Sequence, residues 1–228
     1  MAFNSTDATN WTRSDNYHNH FLISSDAALH SALKLSEENG LPPYAVSEAQ
    51  GKFLNLLAKS IQARRILEIG TLGGYSTIWF AKSLPPDGEI VTCEISEEYA
   101  KIAQKNIDNA GLTNRVKILI GPATTTLPNI NSDRSFDLAF IDADKQSNVD
   151  YFIQAKRLVR NGGIIIVDNV VRNGCVADLS QSDPSIEGVR RLLEYIQNDS
   201  TVEATTIGTV GEKGYDGFLF AINKPSMD

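Results

Sequence analysis

Residues 65–76 read RILEIGTLGGYS, and this stretch decides the fold. An apolar run from Arg65 to Ile69 enters a turn containing Gly70, Gly73 and Gly74, and a helical pattern follows from Tyr75 to Ser83. A short strand feeding a helix through a glycine turn is the opening half of a βαβ unit. The pattern then recurs. Apolar runs EIVTCEI, RVKILIG, FDLAFID and GGIIIVD are separated by helical segments at Ser96–Ala110, Val149–Val159 and Pro184–Asn198, and VEATTIG and GFLFAIN close the series. Strands of this length alternating with helices predict a parallel sheet with right-handed crossovers. The last two runs are joined by GTVGEKGYDG with no helix between them, so they are expected to pair antiparallel. The fold class is therefore α/β: one doubly wound, Rossmann-like domain on a seven-stranded, mostly parallel sheet whose last strand is antiparallel.

Upstream of Arg65, a helical stretch is expected from Asp15 to Asn39, stopped by Asn39-Gly40 and the Pro42-Pro43 breakers. A second helix opens at Ser47 and carries Phe53, Leu54, Leu57 and Ile61 at helical spacing. Both read as extra N-terminal helices serving as a lid or an oligomer surface. Residues 1–14 are polar and aperiodic and read as a flexible arm, leaving 15–228 as the domain.

Composition narrows the chemistry. The 228 residues are 42% hydrophobic and 21% charged, values of an ordinary globular chain with a real core. No apolar run is long enough to span a membrane, and the opening MAFNSTDATNWTRSDN has no secretory apolar core, so the expected setting is cytoplasmic. Cys93 and Cys175 suggest neither a disulfide framework nor a zinc site. A net charge of -7 argues against nucleic-acid or anionic-membrane partners. All three histidines lie within the first thirty residues, so a site built on the sheet must work without imidazole.

In sheets of this kind ligands bind beyond the carboxyl ends of the strands. A G-x-G-x-x-G loop brings its second glycine against a pyrophosphate, but that position is Leu72 here. Glu68 at the loop's start would repel a phosphate and attract a sulfonium or ammonium. At about 4 Å and an effective dielectric near 20 that choice of sign is worth about 4 kcal/mol. The combination favours S-adenosylmethionine over a dinucleotide. Glu94, at the end of the second run, suits the hydroxyls of a ribose in either ligand, or is a surface acid near the helix start at Ser96.

The fourth and fifth runs end in Asp142-Ala143-Asp144-Lys145 and Asp168-Asn169. Neighbouring strands bring Asp142, Asp168 and Asn169 to one point, where carboxylates cannot all stay ionised without a counter-ion. Oxygen donors alone predict a hard divalent cation, Mg²⁺ foremost, with Mn²⁺ or Ca²⁺ as alternatives. The plainer alternative is a set of helix-capping and loop acids turned to water. Lys145 is the one base in the motif. Facing a bound cation its ammonium would yield a proton readily, as a general base must; otherwise it is an exposed partner of Asp144 or Asp150.

Together, AVSEAQGKFL, LEIGTLGGYS, CEIS, GPA, FIDADK, DNVVRNG and DGFLFA resemble the cation-dependent S-adenosylmethionine O-methyltransferases, the group of catechol and caffeoyl-CoA O-methyltransferases. The likeness runs from about Tyr44 to Ile222. It implies Asp142, Asp168 and Asn169 as metal ligands, and Lys145 with Asp142 as the catalytic pair. It also implies donor contacts at Val46, Glu68, Gly70, Ser76, Glu94, Ala123 and Asp142 or Asp144. A catechol-type small-molecule acceptor and a homodimer are implied as well. Hydride transfer with NAD(P) and non-catalytic S-adenosylmethionine binding are the alternative functions. The chain departs from the plant pattern at Arg172, in QSNVDYF after the DADK motif (Tyr151 displaced, or Asn148 in its place), and in the late GEKGYDG loop. All three departures fall where the acceptor would sit. Arg172 either meets an acidic or polar substituent or caps its loop.

Overall fold

Alternation along the strands sorts the core onto two faces of one sheet. In the computed structural model, which describes residues 6–131 and 135–225, the strands are β1 (Arg65–Ile69), β2 (Glu89–Glu94), β3 (Val116–Ile120), β4 (Phe136–Ile141), β5 (Val159–Val167), β6 (Val202–Gly211) and β7 (Gly214–Asn223). Leu67, Ile69, Val91, Cys93, Ala139, Ile141, Ile165 and Val167 point to one side, and Ile66, Ile90, Leu138, Phe140, Ile164 and Ile166 to the other. Strands buried on both faces lose the polar alternation of a surface sheet and read as continuous apolar runs.

The order is β3-β2-β1-β4-β5-β7-β6, with β7 antiparallel to both of its neighbours and the remaining pairs parallel. The doubly wound expectation holds, with the switch of strand order between β1 and β4. The helices are α1 (Ala8–Leu22), α2 (Ala27–Glu38), α3 (Glu48–Ser60), α4 (Tyr75–Ala81), α5 (Glu97–Asn109), the short α6 (Ala123–Thr126), α7 (Asn148–Leu158) and α8 (Pro184–Gln197). Residues of α2, α3, α4 and α5 join the core on one face of the sheet, and α7 and α8 supply the other.

Three local expectations change. Helix α1 starts at Ala8, capped by the Asp7 carboxylate, so residues 8–14 are helical where an irregular arm was expected; residues 1–5 of that arm lie outside the described residues. The stretch from Asp15 to Asn39 is two helices. Ile23 is extended, and Asp26 caps α2 by accepting from the Ala28 and Leu29 N–H groups while pairing with Lys82. The late loop is mostly strand: Gly211 pairs with Gly214 across a two-residue turn, Glu212-Lys213. Asp15 of α1 accepts from the Glu212 N–H at 2.8 Å and so ties α1 to this turn.

Candidate active site

A relay of backbone hydrogen bonds aligns the carboxyl ends of five strands. Gly121 N–H donates to Glu94 O (2.9 Å), Gly70 N–H to Cys93 O (3.0 Å), Asp142 N–H to Ile69 O (2.8 Å) and Asp168 N–H to Ile141 O (2.9 Å). Each bond carries the ladder one residue past its strand, so the turns after β1 to β5 form one rim. Gly70 is indispensable there. Its φ is +104°, and a Cβ would lie 2.1 Å from the Asp142 carbonyl oxygen. Gly74, at φ +80°, is the left-handed residue that starts α4.

The loop keeps its donors for itself. Leu72 is left-handed (φ 50°) and gives its N–H to Glu94 Oε2 at 2.7 Å. Glu94 is buried, and its other oxygen accepts from the Ser96 N–H at 3.0 Å, so it is no surface acid. Glu68 stands on the Ile66 face of β1 and has no solvent exposure. Its carboxylate accepts from Ser76 (2.7 Å), Thr92 (2.6 Å) and Thr77. Burial pushes its carboxyl up to about 7, opposed by the three hydroxyls. Glu68 thus underlies the loop, and Ser76 stands between it and the rim. Val46, ahead of α3, and Ala123, opening α6 after Gly121, are both buried.

At the β4 and β5 ends the balance differs. Lys145, almost fully buried, places Nζ 3.0 Å from Asp142 Oδ1. Asp168 is 5% exposed; Gln50 of α3 donates to its Oδ2 at 2.6 Å, and the Asn169 N–H to its Oδ1 at 2.9 Å. Burial pushes the Asp168 carboxyl up to about 7, with a further push from the charge of Asp142 and a pull down from Lys145. Asn169 is left-handed, φ 56°. Asp144 turns away: it is exposed, caps the turn at Ser147 and accepts from the buried Tyr151 hydroxyl. Lys145 therefore pairs with Asp142, not with Asp144 or Asp150. Among the described residues no three His, Cys, Asp or Glu side chains gather as a metal cluster, so a cation here would rest on two carboxylates and the Asn169 amide.

The O-methyltransferase family model matches residues 23–219. The chain belongs to this family. A catechol O-methyltransferase of Mycobacterium tuberculosis is 48% identical over 202 residues, covering 88% of this chain and 90% of its own. The O-methyltransferase of Bacillus cereus, solved in complex with SAH, superposes with a TM-score of 0.93 at 47% identity, covering 95% of this chain and all of that one. The O-methyltransferase TomG of Streptomyces achromogenes, solved in complex with SAM, gives 0.92 at 43%, with 97% and 100% covered.

The enzyme is thus a methyl transferase acting on oxygen, and hydride transfer falls away. The Leu72 N–H, already spent on Glu94, agrees with that. Two residues of this O-methyltransferase escaped the sequence reading. Gln50 lies 118 positions from the Asp168 it holds, in a helix that reads as simply amphipathic. Asp216, in the late hairpin, accepts from the N–H groups of Val171 (3.1 Å), Arg172 (2.8 Å) and Gly217 (2.9 Å) and so fixes the loop after Asn169. No helix among the described residues is long and apolar enough to cross a membrane.

Proposed function

We propose that this O-methyltransferase uses S-adenosylmethionine and a divalent cation, Mg²⁺ foremost, to methylate one hydroxyl of a catechol-like aromatic. The observation that carries the reading is the pair of adjoining carboxylates at the β4 and β5 ends. The charges of Asp142, partly exposed, and Asp168, buried, oppose each other beside a single buried lysine. Such crowding is relieved by a hard dication on oxygen donors. Asp142, Asp168 and Asn169 would hold it. Val46, Gly70, Ser76, Glu94 and Ala123 would hold the donor, with Glu68 acting from beneath through Ser76. The sulfonium and the cation supply, respectively, the electrophilic methyl and the charge that acidifies a chelating hydroxyl.

The chain's own part is alignment and proton handling. Lys145 is the residue placed to accept the proton of the acceptor hydroxyl: with a cation held at Asp142 its ammonium would give up a proton to water, and the neutral amine would then take the hydroxyl proton at Nζ. Gln50 and the Asn169 N–H keep Asp168 aimed, and Gly70 lets the donor loop and the Asp142 backbone approach closely, which holds the reacting groups in register. A homodimer in the cytoplasm belongs to the same reading. Exposed Tyr17, Phe21 and Leu22 on α1 favour a second copy, and gel filtration tests it.

Replacing Asp168 by Ala is the test of the site. Turnover of a simple catechol should fall by more than about a hundredfold, exceeding what loss of a mere orienting partner costs. Donor affinity should largely survive. Normal turnover with lost donor affinity would contradict the assignment.

A further inference from the structure

Because β7 runs antiparallel to β5, its first residues stand at the same end of the sheet as Asp168. There a groove of about 460 Å³ opens between the loop after Asn169, the start of α8 and the β6–β7 turn. Its charged lining is Arg172, Lys213, Asp183 and Asp216. The two acids are already served. Asp216 Oδ1 accepts three backbone N–H groups, and Asp183 Oδ1 accepts those of Ser185 (2.7 Å) and Ile186 (2.8 Å). The two cations are less fully served. Arg172 makes no close ion pair or side-chain hydrogen bond with the described residues, although its charge adds to the Ile186 and Ser185 N–H groups in holding the Asp183 carboxyl below its usual range; among those residues Lys213 reaches only the Pro43 carbonyl, at 3.3 Å. Ile186 and Tyr215 add an apolar wall.

Arg172 is held in place at some cost. It and Asn173 are left-handed, φ 52° and 58°, conformations that non-glycine residues adopt only when their surroundings impose them. Here Asp216 does so through the Arg172 N–H. Arg172 stands three positions after Asn169, a reach of at most about 11 Å between their Cα atoms.

We propose that this groove is the outer part of the acceptor site, and that Arg172 with Lys213 selects acceptors bearing a carboxylate on a short arm beyond the ring. This rests on methyl transfer at the β4–β5 cluster and adds the substrate class. A guanidinium with free N–H groups binds a carboxylate through charge-assisted, often paired hydrogen bonds, and the apolar wall takes the ring and its arm.

The test compares 3,4-dihydroxycinnamate with its methyl ester, which keep the same reacting diol. The wild type should favour the acid in kcat/KM. Arg172→Gln should raise KM for the acid by about tenfold or more, the worth of a hydrogen bond to a charged group, with kcat retained and the ester little affected. Arg172→Lys should restore part of the loss. An equal effect on acid and ester, or a wild type preferring the ester, overturns the proposal.

A second readout needs no turnover. Cys175 lines the groove and is partly exposed, whereas Cys93 is buried. Cinnamate, which has no diol, should slow alkylation of Cys175 in the wild type and not in Arg172→Gln, while methyl cinnamate should do neither. Failure of the wild type to methylate any vicinal diol sinks the catechol reading; absent protection of Cys175 by cinnamate sinks the subsite.

Discussion

Glu68, beneath the rim, and Asp168, on it, are two buried carboxyls, both pushed up to about 7 mainly by burial, yet their surroundings differ in kind. Around Glu68 the protein supplies three hydroxyls, from Ser76, Thr77 and Thr92, and the like charge of Asp142 has less influence on it than burial or any of these hydroxyls. Around Asp168 it supplies one amide and one backbone N–H, with the charge of Asp142 as the second-largest influence. The first is a completed polar cage, which stiffens the turn under the glycine loop. The second is a site with acceptor capacity left over and like charges facing each other. Burial and titration alone do not distinguish the two acids; their partners do.

The largest break in the comparison should come from Asp168→Asn. It keeps volume and removes charge, and activity should drop by more than about a hundredfold, with a raised Mg²⁺ requirement in whatever remains. Glu68→Gln should leave the Mg²⁺ concentration for half-maximal rate unchanged. If the two variants respond to Mg²⁺ alike, the distinction fails. Next comes Gly70→Ala, which touches no charge. A Cβ 2.1 Å from the Asp142 carbonyl, on a left-handed backbone, should cost about 2–4 kcal/mol and lower Tm by roughly 5–15 °C.

A pH series sharpens the contrast. The folded protein keeps a proton on Glu68 that the unfolded chain releases at its ordinary value of 4.5, so this group's contribution to stability falls as pH rises from 4.5 to about 7. The size is a few kcal/mol at most. Donor-free Glu68→Gln should therefore show a flatter Tm profile over that window; an unchanged slope would contradict the buried-acid account. The smallest effect concerns Asp168. A proton on its raised carboxyl competes with a cation, so Mg²⁺ affinity should rise with pH up to about 7, by no more than about tenfold per unit, and then level off. Titration calorimetry at pH 6, 7 and 8 reads it.

Most of the architecture was legible because strand and helix periods, glycine turns and helix starts such as Ser47 and Ser96 are local signals. The rim residues were legible for the same reason: each stands at the end of an apolar run. Glu68 could have been placed more closely, since its parity with Ile66 already turns it under α4 instead of toward the open edge. The break before α2 was also written locally, in Asp26, but the leucine spacing on either side masked it. Gln50 and Asp216 were beyond local reading, because their partners lie 118 and 44 or 45 positions away. Left-handed Arg172 was hidden too, since nothing in its side chain favours that backbone and a distant carboxylate enforces it.

One assay bears most directly on the claim that the crowded end of the rim works through a cation. Methyl transfer from S-adenosylmethionine to catechol is followed in EDTA, and then after Mg²⁺ is restored in excess. The account predicts a rate that collapses in chelator and returns with Mg²⁺ in the wild type but not in Asp168→Ala; an undiminished rate in EDTA would contradict it.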